Sequence, residues 1–309
     1  MQQDDHRIAI IGAGHVGSTA AYALMLRALV REIVLIDHDT GLAEAEATDI
    51  SDANALARPG RIWAGNYRDA ATARLAVITA GAATHGTESR LSVASRSAKI
   101  VGDCVDALMA AGFHGILIVA SNPVDVMAHV ALSHSSFSSK RVIGTGTLLD
   151  SSRLQQALAS RLDVAPAAID AIVIGEHGDS EVAAFSTVRI GGLPLDKFAP
   201  DHIPNLEELA NDVRTAGYRI IGGKGYTSYG VATAIVRICE AILRDERTIL
   251  PVSTLMTGEF GLSDVYLSLP CILGANGVER VLLPDLAPGE LAKLLESAKA
   301  IHATFSSLN

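Results

Sequence analysis

The sequence predicts an α/β protein in which a doubly wound parallel sheet is followed by a second, mixed α+β lobe. Three observations predict it. Five apolar runs of strand length alternate with alanine-rich helical segments across the first half. The first of the intervening turns is rich in glycine and opens a helix. Beyond about residue 146 the alternation gives way to short β-rich pieces, a hairpin signal and longer helices.

The first run, residues 8–11, leads directly into Gly12-Ala13-Gly14-His15-Val16-Gly17 and a helical stretch to about Ala28. Gly12 suits a tight turn, Gly14 lets a pyrophosphate approach the backbone, and Gly17 lets the helix lie close on its strand, with the phosphate charge held at the helix N-terminus. This is the Rossmann-type arrangement. His15, at the helix start, reads as a bystander facing solvent. The second run, 33–36, ends at Asp37, about 20 residues beyond the glycines, where a carboxylate accepts both hydroxyls of an adenosine ribose and repels a 2′-phosphate. The cofactor expected at Gly12, Gly14, Gly17 and Asp37 is NAD rather than NADP. Runs at 75–79, 116–120 and Val142–Gly144 complete the sheet. Ligands bind beyond the carboxyl ends of such strands, so the following segments are candidate site: Thr79-Ala80-Gly81-Ala82, Ser121-Asn122-Pro123 and the stretch leading to Asp150. The sequence leaves the isomer of the Asn122–Pro123 bond open.

In the second half, β-rich pieces fall at 172–174, 186–190, 252–255 and 265–269, with helices near 206–221 and 227–243. Asn276-Gly277 is a hairpin signal, and residues 288–303 carry apolar side chains at helical spacing. An α+β lobe closing over the sheet is expected. The division is a dinucleotide-binding domain over 1–146 and a substrate and catalytic domain over 147–309.

Composition is that of a globular chain with two cores: 309 residues, 49% hydrophobic and 19% charged. A net charge of −9 disfavours nucleic acid and anionic membranes as partners. No apolar run approaches the ~18 residues of a membrane helix and no leader opens the chain, so a cytoplasmic location is expected. Cys104, Cys239 and Cys271 lack metal-ligand or redox spacing and read as buried thiols, with neither disulfide nor metal expected.

Two segments carry the chemistry: Gly144-Thr145-Gly146-Thr147-Leu148-Leu149-Asp150-Ser151-Ser152-Arg153 and Ile174-Gly175-Glu176-His177-Gly178-Asp179. A histidine among glycines with carboxylates nearby can hold, give or take one proton near neutral pH, and an arginine can grip a small anion. Each residue alone has a duller reading. His177 could cap a loop, Asp150 could N-cap the next helix, and Arg153 could lie on that helix's surface. Their co-occurrence favours a site. Asp125, one turn into a helix starting at Pro123, is explained by the helix dipole and is left out of the site.

With the glycine fingerprint, Asp37, Ser121-Asn122-Pro123-Val124-Asp125 and the two segments above in order, the chain resembles the L-lactate/L-malate dehydrogenase family over essentially its whole length. Phe113-His114-Gly115, Thr147-Leu148-Leu149 and Gly223-Lys224-Gly225-Tyr226-Thr227-Ser228-Tyr229-Gly230 further resemble the L-2-hydroxyisocaproate branch. The resemblance implies an NAD-dependent L-2-hydroxyacid dehydrogenase, homodimeric or homotetrameric, acting on a small 2-ketoacid. It implies His177 as the proton donor and acceptor, Asp150 as its orienting partner and Arg153 as the carboxylate clamp. Asn122 would hydrogen-bond near the reacting carbonyl and the nicotinamide ribose, and Thr227 would line the pocket. Arg90 would polarise the keto oxygen from a closing loop, and Thr84 would face the substrate side chain. Family members typically carry glutamine at the Thr84 position for lactate chemistry and arginine for malate chemistry. Without a cation there a second substrate carboxylate would be unpaired, so malate dehydrogenase is the weaker alternative. A non-catalytic NAD-binding sensor is the reading from a different class.

Overall fold

Parallel strands form where the chain is apolar on both faces at once. The computed structural model describes residues 7–57, 60–82, 90–201 and 203–308. The first half runs β1 (Arg7–Ile11), α1 (His15–Arg27), β2 (Glu32–Ile36), α2 (Thr40–Ala57), β3 (Arg61–Ala64), α3 (Tyr67–Ala70), β4 (Leu75–Ile78), α4 (Arg90–Ala110), β5 (Ile116–Val119), α5 (Val124–Ser133), β6 (Val142–Gly144) and α6 (Leu148–Leu162). On β1, Ile8 and Ile10 enter one apolar layer with Leu24 of α1, while Ala9 and Ile11 enter the opposite layer with Val105 of α4 and Met127 of α5. That two-sided burial is what the uninterrupted apolar runs encode, at roughly 1.5–3 kcal/mol for each large aliphatic side chain removed from water.

The second half continues with β7 (Ile169–Asp170), β8 (Val173–Ile174), β9 (Val182–Ala183), β10 (Arg189–Ile190), β11 (Leu193–Pro194), α7 (Leu195–Phe198), α8 (Leu206–Lys224), α9 (Tyr229–Leu243), β12 (Thr248–Thr257), β13 (Ser263–Gly274), β14 (Gly277–Val281) and α10 (Pro288–Ser306). The pieces expected at 252–255 and 265–269 are the centres of two long antiparallel strands. Rather than closing over the parallel sheet, they extend it. Ser253 of β12 pairs with Gly144 of β6, giving the nine-stranded order β14-β13-β12-β6-β5-β4-β1-β2-β3. A Cβ on Gly144 would stand 2.8 Å from the Ser253 Cβ, so only glycine permits that junction. β3, at the far edge, was not among the predicted runs. Of its four residues only Ile62 is buried, so this edge strand gives no continuous apolar signal.

Two shifts matter for the site. The helix expected from 227 starts at Tyr229, leaving Thr227 in the connector after α8. The His177 segment is the loop of a two-stranded hairpin, β8 to β9. A third apolar cluster, with Leu154 and Leu158 of α6 against Leu209 and Val213 of α8, holds these elements beneath that hairpin.

Candidate active site

The first strand's end builds an anion seat. Gly12 has φ +105°, and a Cβ there would stand 2.6 Å from the Ala80 amide nitrogen. A Cβ on Gly17 would lie 1.9 Å from the Gly12 carbonyl oxygen, whereas one on Gly14 would meet open space. α1 begins with no side-chain cap and no acid in its first turn. The residues present therefore fit a dinucleotide pyrophosphate: two glycines close the turn and the third leaves room over free helix N–H groups. Asp37 directly follows β2 with its side chain 9% exposed, accepting the Ala13 N–H at 2.6 Å and the Asp39 N–H at 2.9 Å. His15 is exposed as expected, but its ring stacks on Tyr226 at 3.8 Å between centroids, 15° from parallel.

The proton site is fastened by hydroxyls at helical spacing. Thr147 and Ser151 lie one turn apart on the start of α6. The Thr147 hydroxyl donates to the Val173 carbonyl at 2.5 Å, and Ser151 Oγ accepts the Val173 N–H at 2.9 Å. This fixes α6 to β8 and so sets Asp150 beside His177. His177 Nδ1 lies 2.5 Å from one Asp150 oxygen, and Arg153 Nη1 donates to the other at 2.8 Å. Asp150 is not a cap: α6 starts at Leu148, and the Asp150 side chain is 2% exposed. Arg153, 20% exposed, is directed inward rather than lying on the surface.

Asp125, set aside in the sequence, belongs to this assembly. It is 1% exposed, accepts the His177 backbone N–H at 2.8 Å and takes the Ser253 hydroxyl at 2.5 Å. The helix dipole accounts for an acid at that position but not for its burial against the His177 loop. Glu176 has a mechanical role. Its carboxylate accepts from Ser180, and its N–H donates to Ser297 Oγ of α10 at 2.8 Å, so the hairpin loop is pinned.

Burial pushes the His177 imidazole toward the neutral form, but Asp150 outweighs it and the pKa is raised to about 9. Asp150 is held below its ordinary value, burial being outweighed by His177 and Arg153. Burial raises Asp125 to about 6. The folded protein thus holds the imidazole proton more tightly than the unfolded chain. This contribution to stability is complete below the ordinary histidine value of 6.5 and is lost as pH rises through about 9. The Tm advantage of the unsubstituted protein over H177N is therefore expected to shrink as pH rises from 6.5 through about 9, which calorimetric scans across that range test.

His177, Asp150, Arg153, Asn122 and Thr227 all line one cavity of about 680 Å³, with Val126, Leu149 and Ile221 among its apolar walls. Asn122 reaches it through a cis bond to Pro123. Thr84 and the Arg90 side chain lie outside the described residues; the Arg90 backbone begins α4. Residues 6–144 match the model of the lactate/malate dehydrogenase NAD-binding domain, and residues 147–307 match that of the α/β C-terminal domain. The chain belongs to the lactate/malate dehydrogenase family. It is 42% identical over 302 residues to the L-lactate dehydrogenase of Priestia megaterium, covering 96% of this chain and 95% of that protein. It is 41% identical over 308 residues to the L-lactate dehydrogenase of Clostridium botulinum strain Loch Maree, covering 97% and 96%. Among solved structures, the minor L-lactate dehydrogenase of Enterococcus mundtii with ligands bound has a TM-score of 0.96 at 35% identity, covering 99% of each chain. The lactate dehydrogenase MGS-M5, from a Medee basin deep-sea metagenome, has a TM-score of 0.96 at 37% identity, covering 98% of this chain and 99% of that one. This family member is an NAD-dependent oxidoreductase acting on CH–OH donors, and the relatives named above carry the lactate rather than the malate name. No described helix is long and apolar enough to cross a membrane.

Proposed function

We propose that this dehydrogenase interconverts pyruvate and L-lactate and accepts larger 2-ketoacids, with His177 as proton donor and acceptor. The observation that carries the reading is the contact of Asp150 with both His177 and Arg153 on one cavity wall. A carboxylate on Nδ1 fixes the imidazole's orientation and directs its other nitrogen to the substrate oxygen. Arg153 forms two parallel hydrogen bonds to the substrate carboxylate, which orients the keto carbon. Bound NADH supplies the hydride that reduces that carbon. As negative charge grows on the carbonyl oxygen, His177 delivers its proton there and Asp150 stabilises the cationic imidazole before transfer. In the reverse direction the neutral imidazole accepts the hydroxyl proton.

Asn122 positions the carbonyl, Arg90 polarises it, and Thr84 and Thr227 shape the side-chain pocket. Gly12, Gly14, Gly17 and Asp37 hold NAD, over a domain ending near residue 146. The assembly is a homodimer or homotetramer in the cytoplasm. The test is kcat/KM for NADH-dependent reduction of pyruvate, 2-ketobutyrate, 2-ketoisocaproate, phenylpyruvate and oxaloacetate, with NADPH as control. Pyruvate is expected to lead, with the longer acids within about 10- to 200-fold, since one methylene changes binding by about 1–3 kcal/mol. Oxaloacetate as the best substrate by far would overturn the proposal.

A further inference from the structure

His177 faces a second carboxyl group for which the proton transfer described above has no use. Glu181 closes the β8–β9 loop, four residues after the histidine, and is 7% exposed. A carboxylate oxygen of Glu181, one of Asp150 and a ring nitrogen of His177 all lie within 4.8 Å of one another. The separation is fixed. The Glu181 N–H donates to the Gly178 carbonyl at 3.2 Å, and Ser180 Oγ bonds both Glu176 and, at 3.0 Å, Ser297 of α10. We propose that Glu181 is a positioning residue that supports Asp150 in holding the His177 proton and so sets the alkaline limit of ketoacid reduction. This inference rests on His177 being the proton donor.

Two features argue that the carboxyl acts on the imidazole rather than serving a structural ion pair. First, Asp150 shares its charge between two cations, His177 and Arg153, which leaves the imidazole incompletely neutralised. Secondly, Arg214 of α8 lines the same cavity and acts on Glu181 through its charge, and its Nε is buried without a hydrogen-bond partner among the described residues. The charges around Glu181 are Asp150 and Arg153 from α6, Arg214 from α8, and His177 from its own loop. Beyond these, Asp125 of α5 lies behind the His177 N–H, Glu176 is tied to Ser180, and Asp179 accepts from the Tyr218 hydroxyl of α8. Two guanidinium groups in one cavity make the trio a poor seat for a metal cation.

Burial and then Asp150 keep the Glu181 proton on to about pH 8, while His177, Arg214 and Arg153 pull the other way. Once ionised, Glu181 sets a second negative charge beside the imidazole, within the 4.8 Å cluster, and tightens its hold on its own proton. Because Glu181 itself is buried, its charge is only weakly screened by salt.

The test is the pH profile of kcat/KM for pyruvate at saturating NADH in the unsubstituted enzyme, E181Q, E181D and H177N. The unsubstituted enzyme is expected to lose activity through about pH 9. E181Q is expected to lose it about one pH unit lower, so that at pH 9 it retains about fivefold less of its own low-pH rate. E181D, which keeps the charge at a greater distance, should fall between them. An E181Q limb coinciding with the unsubstituted one overturns the inference while leaving the donor assignment standing. An H177N enzyme that keeps both turnover and the limb overturns the donor assignment itself. Should E181Q not fold, the E181D limb decides alone: displaced downward it supports the role, unmoved it refutes it.

Discussion

H177N is expected to reduce pyruvate about 10³-fold more slowly than the unsubstituted enzyme while binding NADH with the same affinity. Asparagine keeps hydrogen-bonding capacity toward Asp150 but has no proton to give near neutral pH. The oxygen that becomes an alkoxide as the keto carbon is reduced must then take its proton from water. The dinucleotide seat around Gly12, Gly14 and Gly17 belongs to a different loop and does not touch the imidazole. Steady-state rates and fluorescence titration with NADH separate the two effects. Turnover within tenfold of the unsubstituted enzyme would remove His177 from the donor role. A protein that turned over no 2-ketoacid before substitution would be the sensor.

R153K is expected to lower kcat/KM for pyruvate by about 10²- to 10³-fold, chiefly through KM. Lysine keeps the charge but replaces a planar two-point contact with a single flexible one. Losing one charge-assisted hydrogen bond costs about 1.5–3 kcal/mol, and imperfect orientation of the carbonyl adds to it. A second effect reads out separately. Arg153 also bonds Asp150, so a lysine that leaves that oxygen free strengthens the carboxylate's pull on His177, and the alkaline limb of the variant moves upward. A KM within threefold of the unsubstituted value would show that another group holds the substrate carboxylate.

Much of the site was legible because its signals are local. Asp150 and Arg153 stand three residues apart near the start of one helix, and the three glycines meet three distinct steric demands within six residues. Thr147 and Ser151, in the same motif, proved to be the clamp that brings α6 to β8. Asp125 was misjudged because a first-turn acid has a sufficient local explanation, and its bonds to His177 and Ser253 cross 52 and 128 residues of chain. Glu181 carries no motif signal. Its role comes from burial beside Asp150, and nothing about one glutamate before a β-branched residue announces burial. His15 reads from sequence as a bystander facing solvent because its stacking partner, Tyr226, lies far along the chain in the connector between α8 and α9.

The sequence alone determined the alternation of strand and helix in the first half, the glycine-rich turn that opens α1, and the placing of Asp150 and Arg153 three residues apart near the start of one helix. Each depends on spacing within one element or turn, which backbone geometry converts directly into position. The tertiary structure decided that β12 and β13 continue the parallel sheet, that serines 253, 268 and 297 anchor the site loops, and that three carboxyl groups surround one imidazole. Those facts depend on strand pairing and burial between distant segments. A buried charge's proton affinity depends on all the neighbours that replace its water, whichever part of the chain they come from.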